Sequence, residues 1–185
     1  VRDRLFVQKI VGPLYELKNN NVHKVKNSDF LSSTDARVIL PYLSDQVLIG
    51  TSTQGIYVYD GSTFKEWNPK LSALMVAKEL NCGILSSNGI YYFGTILDGI
   101  YVVNSKGEVI DHISAKGVLQ NNTIHALYED NLNNIWTALD RGVSYIQYVD
   151  NMSYHIDTES RVGAVYDITI WDGKLFVGTN QGVFY

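Results

Sequence analysis

Five glycines divide this chain at a near-constant interval. Gly12, Gly55, Gly99, Gly142 and Gly182 lie 43, 44, 43 and 40 residues apart. Each opens a similar stretch, Gly-Ile-Tyr-Val at Gly55 and Gly99, Gly-Val-Ser-Tyr at Gly142 and Gly-Val-Phe-Tyr at Gly182. Before four of them stands an apolar run ending at or near Gly-Thr: Val47-Leu48-Ile49-Gly50-Thr51, Tyr92-Phe93-Gly94-Thr95, Ile135-Trp136-Thr137-Ala138 and Phe176-Val177-Gly178-Thr179. A period of that length built from strand-like segments points to a repeat architecture.

Within one period four short strand candidates follow one another. They read Arg37–Leu40, Val47–Ile49, Ile56–Tyr59 and Thr63–Trp67 in one unit, and Thr123–Tyr128, Asn134–Ala138, Gly142–Gln147 and Met152–Ile156 in another. Asn88-Gly89, Asp172-Gly173 and Asp60-Gly61 supply hairpin turns between them. The one helix candidate, Leu71 to Leu80, suits a connection between units. Second strands such as Val47–Ile49 and Ile90–Phe93 are apolar on successive residues, so both of their faces need cover. Glycine after such a run fits a place where neighbouring sheets crowd together. The expectation is an all-β fold, a β-propeller of four-stranded antiparallel blades present as an incomplete arc. Its blades span about 1–34 (partial), 35–77, 78–121, 122–162 and 163–185 (partial). The chain opens on Val1-Arg2-Asp3 without an initiator Met, and the reading is of a piece of a longer protein.

A net charge of −4 argues against a nucleic-acid face, which needs clustered Lys and Arg. No polybasic run or spanning apolar stretch addresses a membrane. The single Cys82 forms no internal disulfide.

The run Thr123-Ile-His-Ala-Leu-Tyr-Glu-Asp-Asn-Leu-Asn-Asn-Ile-Trp-Thr-Ala-Leu-Asp-Arg-Gly-Val resembles the two-component regulator propeller repeat. Gly50-Thr51…Gly55-Ile-Tyr-Val-Tyr-Asp60 and Gly178-Thr179-Asn-Gln-Gly182-Val resemble it too, while Ala138-Leu139 departs from its Gly-Thr. The resemblance implies the periplasmic sensor region of a membrane-anchored hybrid histidine kinase tied to glycan utilisation. It also implies a second propeller or further blades in the same protein, and a homodimer when intact. The Trp-Asp of WD repeats and the Gly-Gly of kelch repeats are missing from the positions those families require.

Catalytic chemistry finds no anchor. Ser144 lacks the closing glycine of a nucleophile elbow. His23, His112 and His155 lack metal-ligand spacing and read as solvent-facing strand residues. Asp130-Asn-Leu-Asn-Asn134 reads as a polar hairpin, since the loop glycine and terminal Glu of a calcium site are absent. No catalytic residue, metal or cofactor is assigned. A channel-site hydrolase or lyase would have to use Glu79, Asn81, Asn122, Asp35 or His125. The binding alternative draws on the turns between second and third strands and on the inter-blade links. There Gln54, Asp98, Asp140, Arg141, Arg161 and Gln181 offer amide, carboxylate and guanidinium groups to an oligosaccharide or other small ligand, with Trp67 as a stacking face. Asp140-Arg141 is the preferred pair. The favoured function is a non-catalytic periplasmic sensor module relaying a ligand signal to a histidine kinase; a structural protein-interaction propeller is the alternative beside the enzyme.

Overall fold

The computed structural model describes residues 4–10, 12–117, 119–147 and 161–185. The chain divides into unit 1 (Val1–Tyr148) and unit 2 (Val149–Tyr185). In unit 1, sheet 1 holds β1 (Leu5–Gln8), β2 (Leu14–Lys18) and β3 (Asn21–Lys24). Sheet 2 holds β4 (Ala36–Pro41), β5 (Val47–Thr51), β6 (Ile56–Tyr59) and β7 (Phe64–Glu66). Helix α1 (Pro69–Ala77) leads to sheet 3, made of β8 (Leu80–Leu85), β9 (Tyr91–Thr95), β10 (Ile100–Val103) and β11 (Val109–Ile113). Sheet 4 holds β12 (Ile124–Glu129), β13 (Ile135–Leu139) and β14 (Gly142–Ile146). Unit 2 contains sheet 5, with β15 (Val165–Trp171), β16 (Lys174–Thr179) and β17 (Gly182–Phe184). Every sheet is an antiparallel meander in chain order.

The β-propeller expected from the period is corrected by this arrangement. The described residues form five separate open sheets, and none of these closes into a barrel or a ring. The 43-residue interval sets the strand content of one sheet and its link; closure is a property of the whole set that no single interval encodes. The description as a repeat protein, and the identification with the two-component regulator propeller repeat, fall with it. The expected strand Met152–Ile156 and His155 lie outside the described residues.

Strand periodicity explains the packing of unit 1. Along β5, Val47 and Ile49 face a core shared with Leu14, Val25 and Leu31 of sheet 1 and its following 3-10 turn. Leu48, between them, faces the opposite way, into a core with Leu80, Tyr91 and Phe93 of sheet 3. Along β9 and β10 the alternation repeats: Tyr91, Phe93, Tyr101 and Val103 face sheet 2, whereas Tyr92, Ile100 and Val102 face Ile124, Ile135 and Leu139 of sheet 4. Strands apolar on both faces are thus covered on both faces, as successive hydrophobics require. Among the described residues of unit 2, Tyr166, Ile170 and Trp171 of the sheet are exposed.

Close approach explains the Gly-Thr pairs. A Cβ on Gly50 would lie 2.6 Å from Leu80 Cδ2, and one on Gly94 would lie 2.6 Å from Cys82 Sγ and crowd Ile124. The threonines then close the following turns. Thr51 Oγ1 donates to the Gly55 carbonyl at 2.8 Å and accepts from the Gln54 amide, and Thr95 does the same with Gly99 and Asp98. Helix α1 is set by Asn68, whose side chain accepts from the Lys70 and Leu71 amides, with Pro69 in the first turn.

Two observations yield expected outcomes. Thr137 is fully buried, and its hydroxyl finds no partner among the described residues. Thr137→Val removes an unsatisfied polar atom at constant shape, so it should raise unfolding free energy by up to about 1 kcal/mol in urea titration. Buried Glu16 accepts from Arg4 Nε at 2.6 Å and Nη2 at 3.1 Å, with Lys18 Nζ at 3.1 Å. These bonds, Arg4 first, hold its carboxyl below the ordinary value of 4.5. A depressed folded-state pKa stabilises above the unfolded value and is lost as pH falls through the folded one. Glu16→Gln should therefore cost about 1–2 kcal/mol at neutral pH, allowing for solvent screening. The gap to wild type should close on acidification below pH 4.5. A gap independent of pH would contradict the pairing.

Candidate functional site

The turns between second and third strands emerge at one end of each sheet, where the sequence placed its ligand groups. Gln54, after β5, is already engaged: its Nε2 donates to Ser33 Oγ at 2.7 Å and its carbonyl accepts from Tyr57 Oη. Asp98, after β9, is engaged more fully. Its carboxylate accepts from Lys78 Nζ and from Tyr101 Oη, each at 2.7 Å. His112 Nε2 lies 2.6 Å from its carbonyl oxygen and stacks its ring on Tyr101 at 4.4 Å. The Lys78 contact, then that of Tyr101, lowers the Asp98 pKa, while burial followed by the Asp98 bond raises that of Tyr101.

Asp140, between β13 and β14, is paired with His125 Nε2 at 2.6 Å, and that bond is the main cause of its lowered pKa. Both groups are about half exposed. Arg141 beside it is exposed and makes no hydrogen bond among the described residues. In unit 2, Arg161 and Gln181 are exposed, and the Gln181 amide donates to Thr179 Oγ1 at 3.0 Å. Within unit 1 the preferred Asp140-Arg141 pair therefore presents one free guanidinium and one carboxylate already held by imidazole.

The residues considered for channel-site catalysis serve as joints between links and turns. The Glu79 carbonyl accepts from Ile96 N, Asn81 Nδ2 donates to the Ile124 carbonyl at 2.8 Å, and the Asn122 carbonyl accepts from Gly99 N. The Asp35 carbonyl accepts from Ser52 N in the same way. No group of three His, Cys, Asp or Glu that could hold a metal occurs among the described residues. Asp130 spends its carboxylate on the Leu132 and Asn134 amides and on Trp136 Nε1, which makes the Asp130–Asn134 stretch a closed polar hairpin.

One feature escaped the sequence. The first strands of sheets 2 to 5 each carry a register shift at the second residue, between Ala36/Val38, Leu80/Cys82, Ile124/Ala126 and Val165/Asp167. A bulge re-aims the side chain it carries. In unit 1 these are Arg37, which meets Asp35, Asn81, which ties sheet 3 to sheet 4, and His125, which meets Asp140. Apolar alternation on either side of each bulge is preserved, so no residue pattern betrays it.

Cys82 is half-buried, and burial pushes its thiol up to about 12. Alkylation at pH 8 should accordingly be negligible in the folded chain and rapid in denaturant, because only the thiolate reacts.

No family model matches the chain, and no curated protein matches it. Solved structures do. One is an extracellular domain assigned to a hybrid two-component system of B. thetaiotaomicron, at 17% identity and a TM-score of 0.67 over 98% of this chain and 26% of that one. A second, assigned to a one-component system of the same organism, gives 20% identity and a TM-score of 0.61 over 98% and 25%. Virginiamycin B lyase from Staphylococcus aureus gives 10% identity and 0.57 over 99% and 61%. The chain spans about a quarter of the length of the first two. At these identities the likeness is one of fold, and a fold hosts several functions. What replaces the propeller-repeat family is thus a fold shared with extracellular domains of bacterial signalling proteins.

Proposed function

We propose that the chain is a non-catalytic module in the periplasmic part of a two-component signalling protein. It recognises a glycan-derived or other small ligand and relays the event to a histidine kinase. The observation that carries this reading is the fold likeness, over 98% of the chain, to extracellular domains assigned to such systems. The side chains of Asn81 and Asn122 are spent on backbone partners, the Ile124 carbonyl and the Ala115 amide, which supports binding over turnover. In the intact protein the module works beside further β-structure and as a homodimer. Sheets joined by three continuous cores deform little, so the signal travels as a change in domain docking or dimer geometry.

Thermal unfolding of the chain with oligosaccharide mixtures tests the reading. A ligand at ten times its Kd adds about 1.4 kcal/mol, which raises Tm by roughly 3–6 °C for a domain of this size. The expected result is such a shift with saccharides and none with divalent metals. Metal-dependent turnover abolished by Glu79→Ala and His125→Ala would replace the sensor with an enzyme.

A further inference from the structure

The end of sheet 2 opposite the Gln54 turn holds a cavity that, of the ligand groups read from sequence, only Trp67 lines. Its volume is about 320 Å³, and its walls include Tyr42 and Gln46 from the β4–β5 connection, Val58 of β6, Lys65 and Glu66 of β7, and Trp67. The size sits at the lower end of the ~300–1,000 Å³ range of ligand pockets. It admits one or two small rings.

The side chains divide into a fixed wall and free polar groups. Trp67 is half-buried and held on three sides. Its Nε1 donates to Tyr42 Oη at 3.1 Å, and its ring meets Tyr42, Tyr91 and Phe93 edge-on at 5.8, 5.2 and 6.4 Å. Val58 lies directly opposite Lys65 across the strand pair. The Gln46 amide is half-buried, and neither it, the Lys65 ammonium nor the Glu66 carboxylate has a side-chain hydrogen bond or ion pair among the described residues. That contrasts with Gln54, Asp98 and Asp140, all of which are engaged. Asp60, also in the wall, spends both carboxylate oxygens on Ser62 and Thr63, so it shapes the turn.

We infer that the cavity bounded by Tyr42, Gln46, Val58, Lys65 and Trp67 binds a neutral polyhydroxylated ring, from a saccharide or a cyclitol. Such a ring presents C–H edges to an aromatic and aliphatic wall. Its hydroxyls accept from Lys65 and from the Gln46 amide nitrogen, and donate to the Gln46 amide oxygen. The Asp60 carboxylate offsets the Lys65 ammonium, so the wall offers no net positive charge to an anionic ring such as a uronate or a sugar phosphate. The inference deepens the sensor reading and rests on it for the ligand's role, though not for the site.

Nuclear magnetic resonance of the full chain separates the two. The chain has three tryptophans, hence three indole N–H signals, and Trp67→Phe assigns that of Trp67. The probes are glucose, galactose, maltose, cellobiose, myo-inositol and glucuronate, each at millimolar concentration. At least one neutral probe should move the Trp67 signal and leave those of Trp136 and Trp171, with glucuronate without effect. Maltose or cellobiose acting alone identifies the saccharide source, and myo-inositol the cyclitol. The double variant Lys65→Ala/Gln46→Ala, whose side chains make no internal bonds, should weaken the response about tenfold or more while keeping the wild-type spectrum elsewhere. A Trp67 signal unmoved by every neutral probe overturns the inference. So does a saccharide that binds by calorimetry and is lost with Arg141→Ala but not with the double variant; the sensor reading then survives with its site at the other end. Binding at Trp67 without any effect on kinase output would retain the cavity and reject the sensor.

Discussion

Gly99→Ala is expected to cost about 3 kcal/mol or more of unfolding free energy. Gly99 has φ +77°, which an L side chain adopts only under strain, and a Cβ there would overlap the Ile113 carbonyl oxygen. The next neighbours, Ser114 Cα at 3.0 Å and the Ile113 carbonyl carbon at 3.2 Å, are backbone as well, so no side chain can swing away. The residue is also a junction: its amide donates to the Asn122 carbonyl, and its carbonyl accepts from both the amide and the hydroxyl of Thr95. Positive φ and overpacking each contribute about 1–3 kcal/mol. Gly89 isolates the two effects, having φ +82° with nothing within 4 Å of where a methyl would stand. Gly89→Ala should cost only about 1–2 kcal/mol. Equal losses in urea titrations of the two variants would contradict the close approach at Gly99.

Phe93→Ala is expected to cost about 3–5 kcal/mol. Phe93 is fully buried in the core between sheets 2 and 3. It stacks on Tyr91 at 6.1 Å, and its ring lies 3.0 Å from where a Cβ on Gly83 would be, so truncation leaves a void walled by two sheets. Trp171→Ala removes a larger ring from sheet 5, but that ring is 71% exposed. Its loss should fall within about 1 kcal/mol. Comparable losses at the two positions would show that the face-to-face core is not what holds unit 1 together.

Strand positions were legible in the residues because each strand carries its own evidence. Val47–Ile49 and Ile56–Tyr59 fall within β5 and β6, and the helix expected at Leu71–Leu80 begins two residues earlier, where Asn68 and Pro69 cap it, and ends at Ala77, with Leu80 already in β8. Both-face burial was legible at β5 and β9 for the same reason. Along β16 the same apolar pattern leaves Leu175 exposed and Phe176 and Val177 half-buried among the described residues. Closure was not legible, since an interval between glycines is local. Polar residue types at the turns were visible, but their partners were not. Lys78, Tyr101 and His112 reach Asp98 from a helix end and two strands. The Trp67 cavity was hidden likewise, because Gln46 and Lys65 meet only once β4–β5 and β6–β7 fold to the same end of sheet 2.

The coupling proposed above is between ligand recognition by this chain and a histidine kinase. It is tested most directly by autophosphorylation of the intact protein in membrane vesicles, run against the saccharides that raise the isolated chain's Tm. The expected result is that the same sugars change phosphorylation severalfold and that sugars without a thermal shift leave it unchanged. Phosphorylation that responds only to ligands the chain does not bind would contradict the claim and move recognition to another part of the protein.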